Sequence, residues 1–186
     1  MSPTPQDVLL LIDVQNDYFP GGTMELEGQD AAAANCARLL ARFRERELPV
    51  VHIRHESIRP GSTFFLPGTE GAEIHESVAP LPSEPVITKH YPNAFRGTGL
   101  SMVLLPLHSK RLIVAGSMSH MCIDATVRAA FDLGHSCTVA HDACATRTLS
   151  FNGADIPAAQ VHGSFMAALG QAFAEVVDTE TILGEV

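Results

Sequence analysis

Charged residues are scarce in this chain, and those present are mostly acidic. They make up only 18% of its 186 residues, with 21 Asp and Glu against 12 Lys and Arg, a formal charge of −9. Because neutralising phosphates requires clustered Lys and Arg, we expect neither nucleic acid nor an anionic membrane surface as a partner. The usual charged share is ~25%, whereas apolar residues reach 46% here. This balance excludes a disordered chain and predicts apolar surface that is buried in a homo-oligomer, a dimer or a tetramer.

Long apolar runs and paired cysteines are also absent. The first apolar run covers only residues 8–12, and no basic residue precedes it. A secretory signal needs a basic start and a longer apolar stretch, and a membrane span needs about 20 apolar residues. The four cysteines include no CxxC pair and are too scattered for a disulfide framework. We therefore expect a protein of the reducing cytoplasm.

Short apolar runs alternate with segments of helical periodicity along the chain. Predicted strands cover residues 8–12, 49–53, 86–88, 111–115, 136–140 and 175–177. Predicted helices cover residues 31–46, 100–107, 121–133 and 157–173. Apolar strands separated by helices indicate a mostly parallel sheet with both faces covered. At this length we predict one α/β domain over residues 1–186, with one sizeable core.

The segment 56–85 departs from this alternation, because it is rich in Gly and Pro and has no clear period. Loops of about 30 residues are uncommon in compact domains and are often lids or binding loops. This one carries Phe64, Phe65 and Leu66 between turn-forming residues. We expect these apolar side chains to cover a pocket or a neighbouring subunit.

Three residues with reactive side chains follow predicted strands. Asp13, Lys89 and Cys122 come after the first, third and fourth strands, and ligands bind at this carboxyl edge in open α/β sheets. Cys122 lies at the start of a predicted helix, where N–H groups and the helix dipole lower a thiol pKa and can hold an oxyanion. Asp13 could take the thiol proton, and Lys89 could stabilise the thiolate. The residues alone leave other roles open for all three: a small buried hydrophobic residue for Cys122, a cap or a buried, paired carboxylate for Asp13, and a surface lysine for Lys89.

Three blocks resemble the isochorismatase-like cysteine hydrolase family and occur in the family's order. They are LIDVQNDYF at 11–19, ITKHYPNAF at 87–95 and VAGSMSHMCIDAT at 114–126. The resemblance implies a three-layer α/β/α fold around a six-stranded parallel sheet in the order 3-2-1-4-5-6. That order sets the first and fourth strands side by side, in agreement with the independent placement of Asp13 and Cys122.

The resemblance also implies a catalytic triad and a reaction. Cys122 is the implied nucleophile, Asp13 the general base and later the acid, and Lys89 their electrostatic partner. The backbone N–H groups of Met118 and Cys122 are the implied oxyanion hole, and a cis peptide is implied between Ser117 and Met118. The implied chemistry is a two-step hydrolysis of an amide or ester-like carbonyl through a thioester.

Further contacts to a small-molecule substrate are expected around the triad. Phe19 and Phe95 are candidates for an apolar pocket wall, and Ser119 keeps the hydroxyl that the family often supplies as Thr. Simple packing is an equally open explanation for the aromatic residues. The expected substrate-binding residues are Gln15, Phe19, His55, Phe64, Phe95 and Ser119.

The family contains members with different substrates, which the residues partly separate. Nicotinamidases carry a metal-binding Asp-x-His, whereas His55 and Ser57 stand in those places here, so we expect no metal and no cofactor. Isochorismatases split a vinyl ether, some of them without the cysteine, so the presence of Cys122 favours an amide. The segments 61–68 and 73–75 resemble a subgroup that includes streptothricin hydrolases. The expected substrate is thus a small amide or lactam.

Other functions stay open from the sequence. They are vinyl-ether hydrolysis, a nicotinamidase-like amidase and a catalytically silent small-molecule binder. A nucleotide-binding module is disfavoured, because no GxGxxG follows the first strand and no GxxxxGK[ST] occurs. Redox sensing through a low-pKa Cys122 would lack a resolving cysteine close in sequence.

Overall fold

A six-stranded parallel sheet forms the centre of the molecule, for which a computed structural model describes residues 6–109 and 111–186. In chain order the strands are β1 (Asp7–Ile12), β2 (Val50–His55), β3 (Val86–Lys89), β4 (Arg111–Ser117), β5 (Cys137–Ala145), β6 (Leu149–Phe151), β7 (Ala154–Ile156) and β8 (Glu175–Val177). The parallel sheet has the order β3-β2-β1-β4-β5-β8, and β6 and β7 form a separate antiparallel hairpin. With β8 as the sixth strand of the sheet, the predicted order 3-2-1-4-5-6 is confirmed.

Helices cover both faces of this sheet. They are α1 (Gln29–Glu45), α2 (Leu100–Leu104), α3 (Asp124–Asp132), α4 (Ala158–Ala172) and α5 (Thr179–Glu185). Alternate residues of β1 divide between two buried clusters, because successive strand side chains point to opposite faces. Leu10 packs in the cluster that includes residues of α2, α3 and α4, and Leu11 in the cluster with α1 and α5. The predicted three-layer α/β/α fold is therefore confirmed.

No described helix combines the length and the apolar character that crossing a membrane requires.

Several predicted strands are longer in the structure, and three elements, β6, β7 and α5, were not predicted. β4 continues through Gly116 to Ser117, and a π-helical turn at Ser119–Ile123 precedes α3. The β6–β7 hairpin turns at Asn152-Gly153, both with positive φ, and Asn-Gly is a dipeptide that favours such two-residue turns. α5 begins after Asp178, whose carboxylate accepts from the Thr181 N–H and caps the helix.

The long loop between β2 and β3 contains no strand and is tied to the segment after β1. Short 3₁₀ turns occur at Glu70–Ala72 and Glu76–Val78. The Asp17 carboxylate accepts from the Phe65 N–H at 2.6 Å, and the buried Phe65 ring packs on Tyr18 with centroids 4.6 Å apart. These contacts therefore hold the loop at the carboxyl edge of the sheet, next to the end of β1.

Gly116 lies where β4 passes close to the end of β1 at this edge of the sheet. It has φ +120° and pairs with Ile12, and a Cβ at this position would overlap the Ile12 carbonyl. We expect Gly116→Ala to lower the free energy of unfolding by about 2–4 kcal/mol, through backbone strain and overpacking. Urea unfolding of the purified variant measures this loss.

The matched control is Gly163→Ala in α4, where an added Cβ meets no atom within 4 Å. Because alanine is the better helix former, this variant should gain up to about 1 kcal/mol. A Gly116→Ala protein as stable as wild type would contradict the close approach of β1 and β4.

Candidate active site

Asp13, Lys89 and Cys122 meet at the carboxyl edge of the sheet. Lys89 ends β3, and its side chain reaches past β2 to donate to Asp13 Oδ2 at 2.7 Å and to Cys122 Sγ at 3.2 Å. Asp13 and Lys89 have no exposed surface, and Cys122 is 5% exposed. Asp13 follows β1 in the left-handed region with φ +52°, a conformation that Asp tolerates better than most residues. The structure thus brings the three predicted residues into direct contact.

His55 is the third acceptor of the Lys89 ammonium. The residue ends β2 in register with Lys89, and its Nδ1 lies 2.9 Å from Nζ. An ammonium has three donors and no acceptor, so Lys89 uses all three on Asp13, Cys122 and His55. Burial, and then the charge of Lys89, lower the pKa of His55 to about 4. His55 is therefore a neutral imidazole whose proton is on Nε2.

The Cys122 thiol is protonated at rest. Burial first, and then the negative charge of Asp13, raise its pKa to about 12, although Lys89 acts in the opposite direction. The expected lowering by a helix start is therefore wrong, because the local dipole is outweighed by desolvation and by a carboxylate nearby. The thiol needs a base to lose its proton. Asp13 Oδ1 is buried and has no hydrogen-bond partner among the described residues.

This protonation state predicts the titration of the thiol. With a pKa near 12, the Cys122 thiolate should be nearly absent at pH 8 and should form only above about pH 10. The difference in absorbance at 240 nm between wild type and Cys122→Ala, followed from pH 6 to 12, measures it. A thiolate step below pH 8 would contradict the burial of the thiol and would restore redox sensing as a candidate function.

A cavity of about 220 Å³ opens onto Cys122. Five of its lining residues come from the long loop, which confirms part of the expectation that this loop covers a pocket. They are Ser57, Ile58, Arg59, Ser62 and Phe64. The apolar part of the wall combines Phe64 and Ile58 with Tyr18, Pro92 and Met118. The cavity is smaller than the ~300–1,000 Å³ that holds drug-sized ligands, which fits a small substrate.

Of the expected substrate contacts, His55 and Phe64 line this cavity. Gln15 does not, because its side chain is fully buried and holds the backbone around it. Its Nε2 donates to the carbonyls of His55 at 2.9 Å and Ala72 at 2.7 Å, and its Oε1 accepts from the His55 N–H at 2.7 Å. Gln15 therefore fixes His55 and joins the long loop to β2.

Three further expected contacts also lie outside the cavity lining. Phe19 stacks on His75 with ring centroids 3.6 Å apart, and Phe95 packs against the core and stacks on His135. Ser119 is buried, and its hydroxyl donates to the Ala145 carbonyl and lies 2.8 Å from His162 Nδ1. Packing and hydrogen bonds inside the protein account for these side chains.

The remaining predicted features lie in the segment that follows β4. The peptide bond between Ser117 and Met118 is cis. Met118 precedes the π-helical turn that contains Cys122, and both residues line the cavity. Tyr18, Ile58, Arg59 and Met121 also line it and were not predicted. Tyr18 lies in the first of the three blocks that resemble the family, which offered a signal for it, whereas the loop residues Ile58 and Arg59 carried none.

Asp13, His55 and Cys122 also form a set of three ligand-type atoms within 4.8 Å of one another. The Lys89 ammonium donates to each of these residues. A fixed cation thus already occupies the point on which the three converge, and a metal ion there would be repelled by it. These three groups therefore act as hydrogen-bond acceptors for the Lys89 ammonium.

Comparison with known proteins gives the family. Residues 7–181 match the Isochorismatase domain. The uncharacterized isochorismatase family protein YddQ of Bacillus subtilis is 51% identical over 175 residues, 94% of this chain and 97% of that protein. Streptothricin hydrolase of Streptomyces noursei is 38% identical over 152 residues, 81% of this chain and 51% of that protein. Maleamate amidohydrolase of Pseudomonas putida is 30% identical over 153 residues, 75% of this chain and 72% of that protein.

A solved structure gives the same result. The crystal structure of an isochorismatase from Pseudomonas putida KT2440 superposes with a TM-score of 0.89 at 40% sequence identity, covering 96% of this chain and 92% of that one. The resemblance stated from the three sequence blocks, and from the segment that is similar to streptothricin hydrolase, is confirmed. The chain belongs to the isochorismatase family and is a hydrolase of that family.

Proposed function

We propose that this enzyme hydrolyses the C–N bond of a small amide or lactam through a thioester on Cys122, without a metal. One observation carries the proposal. The buried Lys89 ammonium donates to Asp13 Oδ2 and to Cys122 Sγ, at 2.7 and 3.2 Å, while Asp13 Oδ1 keeps no partner among the described residues. A neutral thiol therefore lies within 4.8 Å of a carboxylate that is proposed to accept its proton.

The bond class has independent support from the relatives. One is named for amide hydrolysis and another for hydrolysis of streptothricin. Acyl transfer from nitrogen needs a nucleophile, a base for that nucleophile and an acid for the leaving amine. Cys122 and Asp13 together supply all three, because a base that has taken a proton is then the acid.

The acylation half of the reaction begins at the thiol. Asp13 takes the proton from Cys122 as sulfur forms a bond to the amide carbonyl carbon. The oxygen of the tetrahedral intermediate carries the negative charge, and the backbone N–H groups of Met118 and Cys122 are proposed to stabilise it. Asp13 then gives its proton to the amide nitrogen, the C–N bond breaks, and the amine leaves behind a thioester.

Deacylation repeats the proton transfers with water. Asp13 takes a proton from a water molecule as the oxygen attacks the thioester carbonyl. The C–S bond breaks, the acid product forms, and the Cys122 sulfur recovers its proton from Asp13. Lys89 stays protonated throughout, because the charges of Asp13 and Cys122 raise its pKa against the effect of burial. The Lys89 ammonium thus stabilises the negative charge both on Asp13 and on the Cys122 sulfur.

The test is turnover combined with the mass of a trapped intermediate. Wild-type protein is incubated with short-chain amides, lactams, nicotinamide and isochorismate, with and without EDTA, and release of ammonia or acid is measured. Samples quenched during turnover are examined by intact mass, and any adduct is located by peptide mapping. We expect amide or lactam hydrolysis that ignores EDTA and an acyl adduct on Cys122.

Each other outcome points to a different function. Hydrolysis lost in EDTA would indicate a metal-dependent amidase, and turnover of isochorismate alone would indicate vinyl-ether hydrolysis. Binding without any turnover would indicate a silent small-molecule binder. An adduct on a cysteine other than Cys122 would overturn the proposed nucleophile.

The homo-oligomeric assembly and the cytoplasmic location of the protein stay predictions. Exposed apolar side chains such as Phe151 in the hairpin and Met102 in α2, which are 69% and 72% exposed, are surfaces that a second copy could cover. Light scattering coupled to size-exclusion chromatography measures the expected dimer or tetramer. Cell fractionation tests the expected cytoplasmic location.

A further inference from the structure

We propose that the substrate carries an anionic group, which binds Arg59 at the loop side of the cavity while its amide lies at Cys122. The class is the monoamide of a short dicarboxylic acid, or a compound of the same shape and charge. The reaction on this compound rests on the proposed function, whereas the preference for an anion rests on the cavity alone.

The charge of the cavity lining differs from the charge of the protein as a whole. The chain has a formal charge of −9, yet the lining includes no Asp or Glu among the described residues. It includes Arg59, the imidazoles of His55 and His90, and the Cys122 thiol. Asp13 lies behind the lining and is paired with Lys89. An anion entering this cavity thus meets a positive charge and no opposing carboxylate.

Arg59 is distinguished from most arginines of the chain by its lack of a counter-ion. Six others form ion pairs with carboxylates, namely Arg38, Arg42, Arg44, Arg54, Arg111 and Arg128. Arg59 forms no ion pair with any residue that the structure describes. Its position is set by a tight turn, in which the Ser62 N–H donates to the Arg59 carbonyl at 3.1 Å. Arg59 thus lines the cavity without a carboxylate partner among the described residues.

The charge of Arg59 acts weakly on His55, which contacts Lys89 of the triad. It contributes to lowering the pKa of His55, the same imidazole that accepts from Lys89. Ser57 and Ser62, from the same loop as Arg59, also line the cavity, and hydroxyl groups can donate to carboxylate oxygens, as can a guanidinium. Ile58 and Phe64 offer apolar contact to a short carbon chain. The lining therefore combines the reactive thiol, apolar side chains and one cationic side chain.

Two alkylating reagents of similar size test the preference without any turnover. Iodoacetate is anionic and iodoacetamide neutral, and both form an S–C bond to Cys122 with loss of iodide. At one fixed pH, the ratio of their rates cancels the thiolate fraction. We expect Arg59→Gln to lower the iodoacetate rate about tenfold, the effect of losing one charge-assisted hydrogen bond, and to change the iodoacetamide rate less than twofold.

The control is Arg46→Gln, an exposed arginine after the end of α1 that does not line the cavity. It should change neither rate. Rates are followed by peptide mapping of Cys122, so that other cysteines do not contribute. Equal losses for both reagents in Arg59→Gln, or no loss for iodoacetate, would overturn the proposal.

Turnover of a charge-matched pair then separates this inference from the proposed reaction. Wild type should hydrolyse succinamate with a kcat/KM at least about tenfold above that of neutral butyramide, and Arg59→Gln should remove most of this difference through KM. If neither amide is hydrolysed while the alkylation ratio still depends on Arg59, the proposed reaction fails and the anion site stands. If neutral or cationic amides are preferred, the anion site fails and the reaction stands.

Discussion

Cys122→Ala is expected to lower kcat/KM for the amide substrate by at least about 10⁴-fold, because the proposed acyl bond forms on the sulfur that this substitution removes. Loss of a hydrolase nucleophile typically costs 10⁴ to 10⁶ in rate, since its partners act only through it. In this variant Asp13, Lys89 and His55 keep their mutual hydrogen bonds, as the alanine removes only the sulfur atom. Steady-state ammonia release and the absence of an acyl adduct measure the loss.

Cys137→Ala is the matched control for this substitution. Cys137 is also a buried, unpaired cysteine, but it begins β5 at the opposite edge of the sheet from the triad. Burial likewise raises the pKa of its thiol to about 12. We expect its alanine variant to keep activity within about twofold, with a similar small loss of stability. More than 1% residual turnover in Cys122→Ala would remove the thiol from the mechanism.

The sheet and the triad could be predicted because short stretches of sequence determine the strands and the residues that end them. The run from Val8 to Ile12 is apolar throughout because both faces of β1 are covered, and its two faces do supply two different clusters. Asp13 and Lys89 directly follow or end such runs. Parallel strands end at one edge, so side chains distant in sequence were expected to meet there, and they do.

The contact between Lys89 and His55 could not be read from the sequence. It depends on the register of β3 against β2, which the 30 or so residues between these strands do not reveal. The same holds for Arg59, whose place at the cavity follows from anchors such as the bond between Asp17 and Phe65. Local patterns say which residues are loop, but not what the loop covers.

The pKa of the Cys122 thiol depends more on residues distant in sequence than on its local helical environment. A helical start does favour a thiolate. The larger influences are burial and the charge of Asp13, and both depend on residues brought in from other strands. The same two influences make Asp13 indispensable, because a thiol that does not ionise by itself requires a base in contact with it.

Asp13→Asn is therefore expected to separate turnover from thiol reactivity. The amide has the shape of the carboxylate, tolerates the left-handed backbone at φ +52° and can still accept from Lys89. It cannot accept a proton from the thiol or return one to the leaving amine. We expect kcat to fall at least about 10³-fold, in the range known for loss of a general acid–base group. Steady-state turnover at saturating substrate measures it.

The same substitution should make Cys122 more reactive toward iodoacetamide. Burial and Asp13 raise the pKa of the thiol and Lys89 lowers it, so removing the negative charge leaves the ammonium opposed by burial alone and lowers the pKa. Each unit by which the pKa falls raises the thiolate fraction at pH 8 about tenfold, and we expect a gain in alkylation rate of that size or more. Asp132→Asn, at the exposed end of α3, controls for the loss of one charge and should change neither quantity.

The opposite signs of the two effects make the assignment specific. A variant that merely disturbs the site would slow turnover and alkylation together, or would expose every cysteine to the reagent. A residue that only neutralises Lys89 would leave turnover largely intact once the thiolate is formed. Only a base that suppresses the thiolate at rest and carries its proton to the amine during the reaction predicts a slower enzyme with a faster-reacting cysteine. Parallel changes in the two rates would remove Asp13 from that role.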